Sequence, residues 1–86
     1  MTAFFSVEVV EASVRYGRRL RFTNRHSGSQ FFRPFPAGLQ DRPIGEQMKD
    51  AVLTTYTTPL ATPKVLWWDE RLKMLFYELV VHQMEQ

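Results

Sequence analysis

Residues 3–12, AFFSVEVVEA, alternate between two faces. Phe5, Val7 and Val9 fall on one side, and Phe4, Ser6, Glu8 and Val10 on the other. A period of two built from aromatic and β-branched residues predicts a half-buried strand. Residues 19–24, RLRFTN, repeat the pattern, with Leu20 and Phe22 opposite Arg19, Arg21 and Thr23. Gly17 is the one turn-forming residue between the two runs and predicts a hairpin. Reaching it takes either a long first strand or a bulge near Ala12 to Val14. RHSGSQ, residues 25–30, is a loop by composition. FFRPFPAGLQDRP, residues 31–43, holds three prolines and a glycine. It is read as an irregular segment or as a short edge strand at Phe31–Arg33, because proline donates no ladder hydrogen bond. Its three phenylalanines need cover from the core or from a partner.

The period then lengthens. In IGEQMKDAVLTTY, residues 44–56, Ile44, Met48, Ala51, Val52 and Thr55 form one stripe at helical spacing, with Leu53 off it. Pro43 suits the first turn and Glu46 the positive end of the helix dipole. TTYTTPLATP ends the helix and reads as a connector. Residues 64–84 admit two interpretations. One is a hairpin with strands at 64–68 and 73–82 and a turn at Asp69–Arg71; the other is a helix capped by Asp69 with Leu72, Leu75, Phe76, Leu79 and Val80 as its stripe. Tyr77, Val80 and Val81 suit a strand better, so the hairpin is preferred. A strand apolar on both faces belongs inside the sheet. The expected fold is therefore α+β: a small single domain, an antiparallel sheet of two hairpins with about four strands, and one helix packed on one face.

Length makes that core thin. A chain of 86 residues hides only about 60% of the surface it exposes unfolded. An apolar content of 44% with seven Phe, three Tyr and two Trp is nevertheless too high for a disordered chain. The sequence has no cysteine, which excludes disulfides, thiolate metal sites and cysteine nucleophiles. Glu8 and Glu11 interrupt the first apolar run, so no signal peptide is expected, and no run approaches the roughly 18 apolar residues of a membrane span. These features predict a cytoplasmic protein with no membrane partner.

Charge changes the picture more. Residues 1–43 carry seven arginines against three acids, a net +4, whereas residues 44–86 carry four cations against six acids, a net −2. SVRYGRRLRFTNR, residues 13–25, holds five arginines and two aromatics with no acid. Arginine binds through a planar fork and stacks on rings, which lysine does poorly. Enzyme chemistry finds no such concentration. His26 and His82 have no third ligand suggested near them, and metal sites need three or four. Asp69 and Glu70 are neighbours in a turn and do not span a cleft. Ser27 and Ser29 beside His26 lack an orienting acid. No glycine pattern fits a phosphate cradle. No catalytic residue, metal or cofactor is predicted.

Trp67 and Trp68 point to opposite faces if they lie in a strand, one into the core and one outward as a binding anchor. The expected function is that of a non-enzymatic protein-binding module, an adaptor or inhibitor of a larger assembly of the kind phages and other mobile elements carry. Arg15, Tyr16, Arg18, Arg19, Arg21, Arg25, Phe32, Arg33 and Trp68 are its predicted contacts, since Arg, Tyr, Phe and Trp are enriched at interfaces. The oppositely charged halves also suit a homodimer. The alternative is nucleic-acid binding, with arginines on phosphates and rings on bases. The plainest interpretation of Arg19 and Arg21 is the wet face of an amphipathic strand, where charge deters sheet-to-sheet aggregation.

Overall fold

The first alternating run becomes the central strand of a sheet in a computed structural model of the chain, which describes residues 3–13, 15, 17–35 and 42–82. Expectations that fall on Val14, Tyr16 and residues 36–41 lie outside the described residues. Strand β1 (Ala3–Ser13) pairs antiparallel with β2 (Gly17–Asn24) on one side and with β5 (Met74–Val81) on the other. Strand β3 (Gln30–Pro34) continues from β2, and β4 (Ala61–Asp69) from β5, giving the order β3-β2-β1-β5-β4. Val7 sits between Phe22 and Leu75 in register, so the apolar faces of three strands coincide.

Both sequence options for the first hairpin are realised. The strand is long, and the register slips between Val10, opposite Arg19, and Ser13, opposite Gly17. Three steps on β1 match two on β2, which is a bulge. Gly17 lies at φ 67°, a region that costs a residue with a Cβ about 1 kcal/mol or more. Gly17→Ala is expected to lower unfolding free energy by about 1 kcal/mol in urea denaturation with the fold retained.

The sheet has five strands, not about four. The fifth is the proline-rich segment that the sequence left between edge strand and irregular chain. Phe31 stacks on Phe22 with ring centroids 4.9 Å apart, which ties the segment to the core. The Phe35 N–H donates to the Arg18 carbonyl, so by alternation the nitrogen of Pro34 faces away from the ladder and costs no hydrogen bond. β4 is the opposite edge and also carries a proline. It starts at Ala61, earlier than predicted, and takes in Pro63.

The helix α1 spans Ile44–Tyr56, as the stripe predicts. The carbonyl of Pro43 accepts the N–H groups of Glu46 and Gln47 at its start. Its buried residues are Gln47, Met48, Ala51 and Val52; Thr55 is exposed, so Gln47 takes the place expected for Thr55. The helix lies across β4, β5 and β1. With Val7, Leu20, Phe22, Leu75 and Tyr77 of the sheet, Met48, Ala51 and Val52 make the core.

Residues 61–81 form the hairpin and not the competing helix. The difference turns on Asp69. Its Oδ1 accepts the backbone N–H groups of Arg71 and Leu72, the bonds it would make as a helix cap, but here they close a turn. Lys73 completes that turn at φ 52°. β5, apolar on both faces, lies inside the sheet between β1 and β4.

Candidate functional site

Strand alternation sorts the side chains onto two faces. One face receives the helix. No described element covers the other, and an antiparallel sheet commonly leaves such a face polar. Here it carries a three-ring cluster. Trp67 of β4 stacks on Phe76 of β5 at 4.4 Å, and Phe4 of β1 lies 5.5 Å from Phe76 and 5.9 Å from Trp67. Phe76 is buried by its neighbours, while Trp67 stays 47% and Phe4 37% exposed. The guanidinium of Arg25 sits 5.4 Å from the Phe76 centroid and donates to Ser6 Oγ at 3.3 Å. Beside the cluster, Arg21 and Glu8 form an ion pair across β1 and β2.

The second concentration lies at the β2–β3 edge. Arg18 stands over Phe35 at 4.4 Å, Arg19 over Phe32 at 4.8 Å, and Arg33 over Phe31 at 5.0 Å. Alternation puts Arg19 and Phe32 on the open face and Arg18 and Arg33 on the helix side, so the edge carries arginine on both. A guanidinium laid flat on a ring gains cation–π attraction and loses little freedom on binding, while its N–H edge still points outward. All of β3 is exposed.

The predicted contacts are thus divided. Arg18, Arg19, Phe32 and Arg33 come together at this edge, with Arg15 exposed in the adjoining turn. Arg21 is one strand inward and tied to Glu8; Arg25 leaves β2 at the opposite end and lies over β5. Tyr16 lies outside the described residues. Trp68 is on the helix side, partly buried against the core, and Trp67 is the outward one. Of the two tryptophans it is Trp67, and not the predicted contact Trp68, that points outward. Unbroken alternation from Val65 would send Trp68 outward, but the register slips at Leu66, with Val65 opposite Tyr77 and Trp67 opposite Phe76. The extra residue reverses both tryptophans. No composition signal marks that bulge.

The side chains weighed for catalysis hold local structure. A Cβ on Gly45 would come within 3.2 Å of the Trp68 ring, so helix and strand meet closely there. The Trp68 indole N–H donates to Glu70 Oε2 at 2.6 Å. Hydrogen bonds from Lys73 first, then from Trp68, hold the Glu70 carboxyl below its usual range. A cleft of about 440 Å³ beside them is lined by Ile44, Gly45, Glu46, Lys49, Trp68 and Glu70, with no serine, threonine or histidine in its wall. Ser27 Oγ accepts the Ser29 N–H within its own turn, and His82 Nε2 bonds Thr62 Oγ1 at 2.6 Å. Among the described residues, no three His, Asp or Glu side chains converge with metal-binding spacing, and no helix is long and apolar enough to cross a membrane.

Comparison with protein families, with curated proteins and with solved structures finds no match to this chain.

Proposed function

We propose that the chain is a non-enzymatic binding protein that acts by protein–protein contact, with the β2–β3 edge as its contact surface. The observation that carries this is the set of three guanidiniums, Arg18, Arg19 and Arg33, each seated on a phenylalanine of one exposed hairpin. Such pairs offer pre-positioned donors to carboxylates around apolar anchors, the composition of an interface core. An adaptor or inhibitor needs only such a surface.

Nucleic-acid binding is the second reading, supported by the same arginines. It is less favoured because each ring a base would use already spends at least one face on a neighbour. Phe31 stacks on Phe22 and Arg33, Phe32 on Arg19, and Trp67 on Phe76. Base stacking needs a free ring face.

The test is a double variant, Arg18→Glu with Arg33→Glu. Both side chains are outside the core, and among the described residues neither forms an ion pair as Arg21 does with Glu8. Affinity capture with the wild-type chain is expected to retain a defined protein, and the double variant to bind it at least tenfold more weakly while keeping its circular dichroism spectrum. Equal retention by wild type and variant refutes the proposal. Saturable binding of single-stranded DNA or RNA that falls steeply with salt moves the assignment to nucleic acid.

A further inference from the structure

The contact edge offers main chain as well as side chains. Two bonds fix its phase: the Phe35 N–H donates to the Arg18 carbonyl, and the Asn24 N–H to the Ser29 carbonyl. By alternation, Phe31 and Arg33 turn their peptide groups to β2, while Gln30, Phe32 and Pro34 turn theirs outward. The outward groups are the N–H of Gln30 and of Phe32 and the carbonyls of Gln30, Phe32 and Pro34. The Phe32 carbonyl accepts Arg33 Nη1 at 3.2 Å, as an outward group can. We infer that the partner supplies an extended segment in which acidic and apolar residues alternate, added to β3 as a sixth strand. This rests on the β2–β3 edge being the protein contact proposed above.

Charge selects an acidic segment. Residues 12–40 hold six arginines and no acid. Arg18 and Arg19 are rooted in β2, yet their guanidiniums reach outward over Phe35 and over Phe32 of β3. Arg33 stands on β3 itself. Among the described residues neither Arg18 nor Arg33 forms an ion pair, and Glu8 lies two strands inward, held by Arg21. Parity then sets the pattern. Arg18 and Arg33 lie on the helix side, and Phe32, 40% exposed, lies on the open face. A strand laid beside β3 meets arginine with one set of alternate side chains and a ring with the other. Carboxylates suit the first set and apolar side chains the second. A carboxylate on Arg33 draws that guanidinium from the Phe32 carbonyl, which then accepts an N–H of the added strand. Main-chain bonds give such a complex its affinity, and the alternate side chains its selectivity.

The same charges disfavour a second copy at this edge. β3 of one chain against β3 of another would gather Arg18 and Arg33 from both, like on like. The other edge of the sheet receives a strand less well. The bulge at Leu66 interrupts β4, Pro63 lacks an N–H, and its charges, Lys64 and Asp69, differ in sign.

The probe is a capped peptide of alternating glutamate and valine, about eight residues long. It is titrated into the isotopically labelled full chain to about millimolar concentration and followed by amide hydrogen exchange. Saturable binding is expected, with the Gln30 and Phe32 amides slowed about tenfold or more. A peptide of alternating lysine and valine is expected to bind about tenfold more weakly or worse, as is the glutamate peptide with the Arg18→Glu, Arg33→Glu double variant. Two N-methylated peptides read the main chain without altering the protein. A strand on one edge uses only every other amide, so methylating the valine set or the glutamate set abolishes binding, and methylating the other is tolerated. No saturable binding, binding without protection of Gln30 and Phe32, equal binding of the lysine peptide, or equal effects of the two methylations each overturn the inference. So does protection of the same amides in the free chain as its concentration rises, which would put a second copy on the edge. If strand addition fails in these ways while the double variant still loses a captured protein, the protein-contact reading stands without it; equal capture by wild type and variant removes that reading itself.

Discussion

Phe22→Ala is expected to cost about 3–5 kcal/mol of stability, the usual toll for emptying a buried aromatic site. Phe22 is 1% exposed, stacks on Phe31, and meets the Tyr56 ring edge-on at 5.7 Å. It lies opposite Val7 on the central strand. Its loss therefore opens a cavity where β3, β2, β1 and the end of the helix meet. A domain of 86 residues has about 4–13 kcal/mol in total, so this single truncation consumes a large share and leaves a substantial unfolded population at the low end. Urea denaturation followed by circular dichroism measures it. Phe32→Ala is the control, one residue from Phe31 on the exposed edge, and is expected to cost under about 1 kcal/mol. Equal losses for the two variants would contradict the core as described.

Alkaline pH is the second large lever. Tyr77 is fully buried beneath the helix, and burial pushes its hydroxyl well above the usual range; Tyr56, 5.5 Å away ring to ring, is raised for the same reason. The two hydroxyls are close enough to influence each other without meeting in hydrogen-bond geometry. Both phenols are neutral in folded and unfolded chains below pH about 10. Above it the unfolded chain ionises first and binds fewer protons than the folded one, so stability falls as pH rises. Tyr77, held well above its usual range, contributes a slope of about 1.4 kcal/mol per pH unit, and the partly buried Tyr56 contributes less. Unfolding free energies at neutral pH and above pH about 10 check this, with Tyr77→Phe as the comparison. The variant is expected to be flatter in the alkaline range. At neutral pH it should be as stable as wild type or more so, since it removes a buried hydroxyl that lacks a good partner. An unchanged alkaline slope would show that Tyr77 ionises without unfolding.

The surface has no comparable single residue. Its energetics are distributed over guanidinium–ring pairs and one partly buried ion pair, each worth about 1 kcal/mol or less within the monomer. That is why the binding test reverses Arg18 and Arg33 together and leaves Arg21 alone. Its reversal would place a carboxylate beside Glu8, itself only 19% exposed, and confuse stability with binding.

Local pattern determined much of this protein. Alternation in residues 3–12 and 19–24 set two strands and their core-facing residues, because a pleated strand exposes its sides by parity alone. The stripe from Ile44 set the helix to its observed ends, and Tyr77, Val80 and Val81 tipped the last segment to a hairpin. Prolines limited residues 31–33 to an edge strand or an irregular segment. What only the tertiary structure decided depends on contacts distant along the chain. The fifth strand exists because Phe31 found Phe22, and Gln47 displaced Thr55 because the helix axis settled over β4 and β5. The bulge at Leu66 exchanged Trp67 for Trp68, since one inserted residue inverts every later parity. The arginines of residues 13–25 were visible as charge, but the ring or acid each would meet was set by strand order and register. So was the division of the basic and acidic halves onto opposite flanks of one sheet.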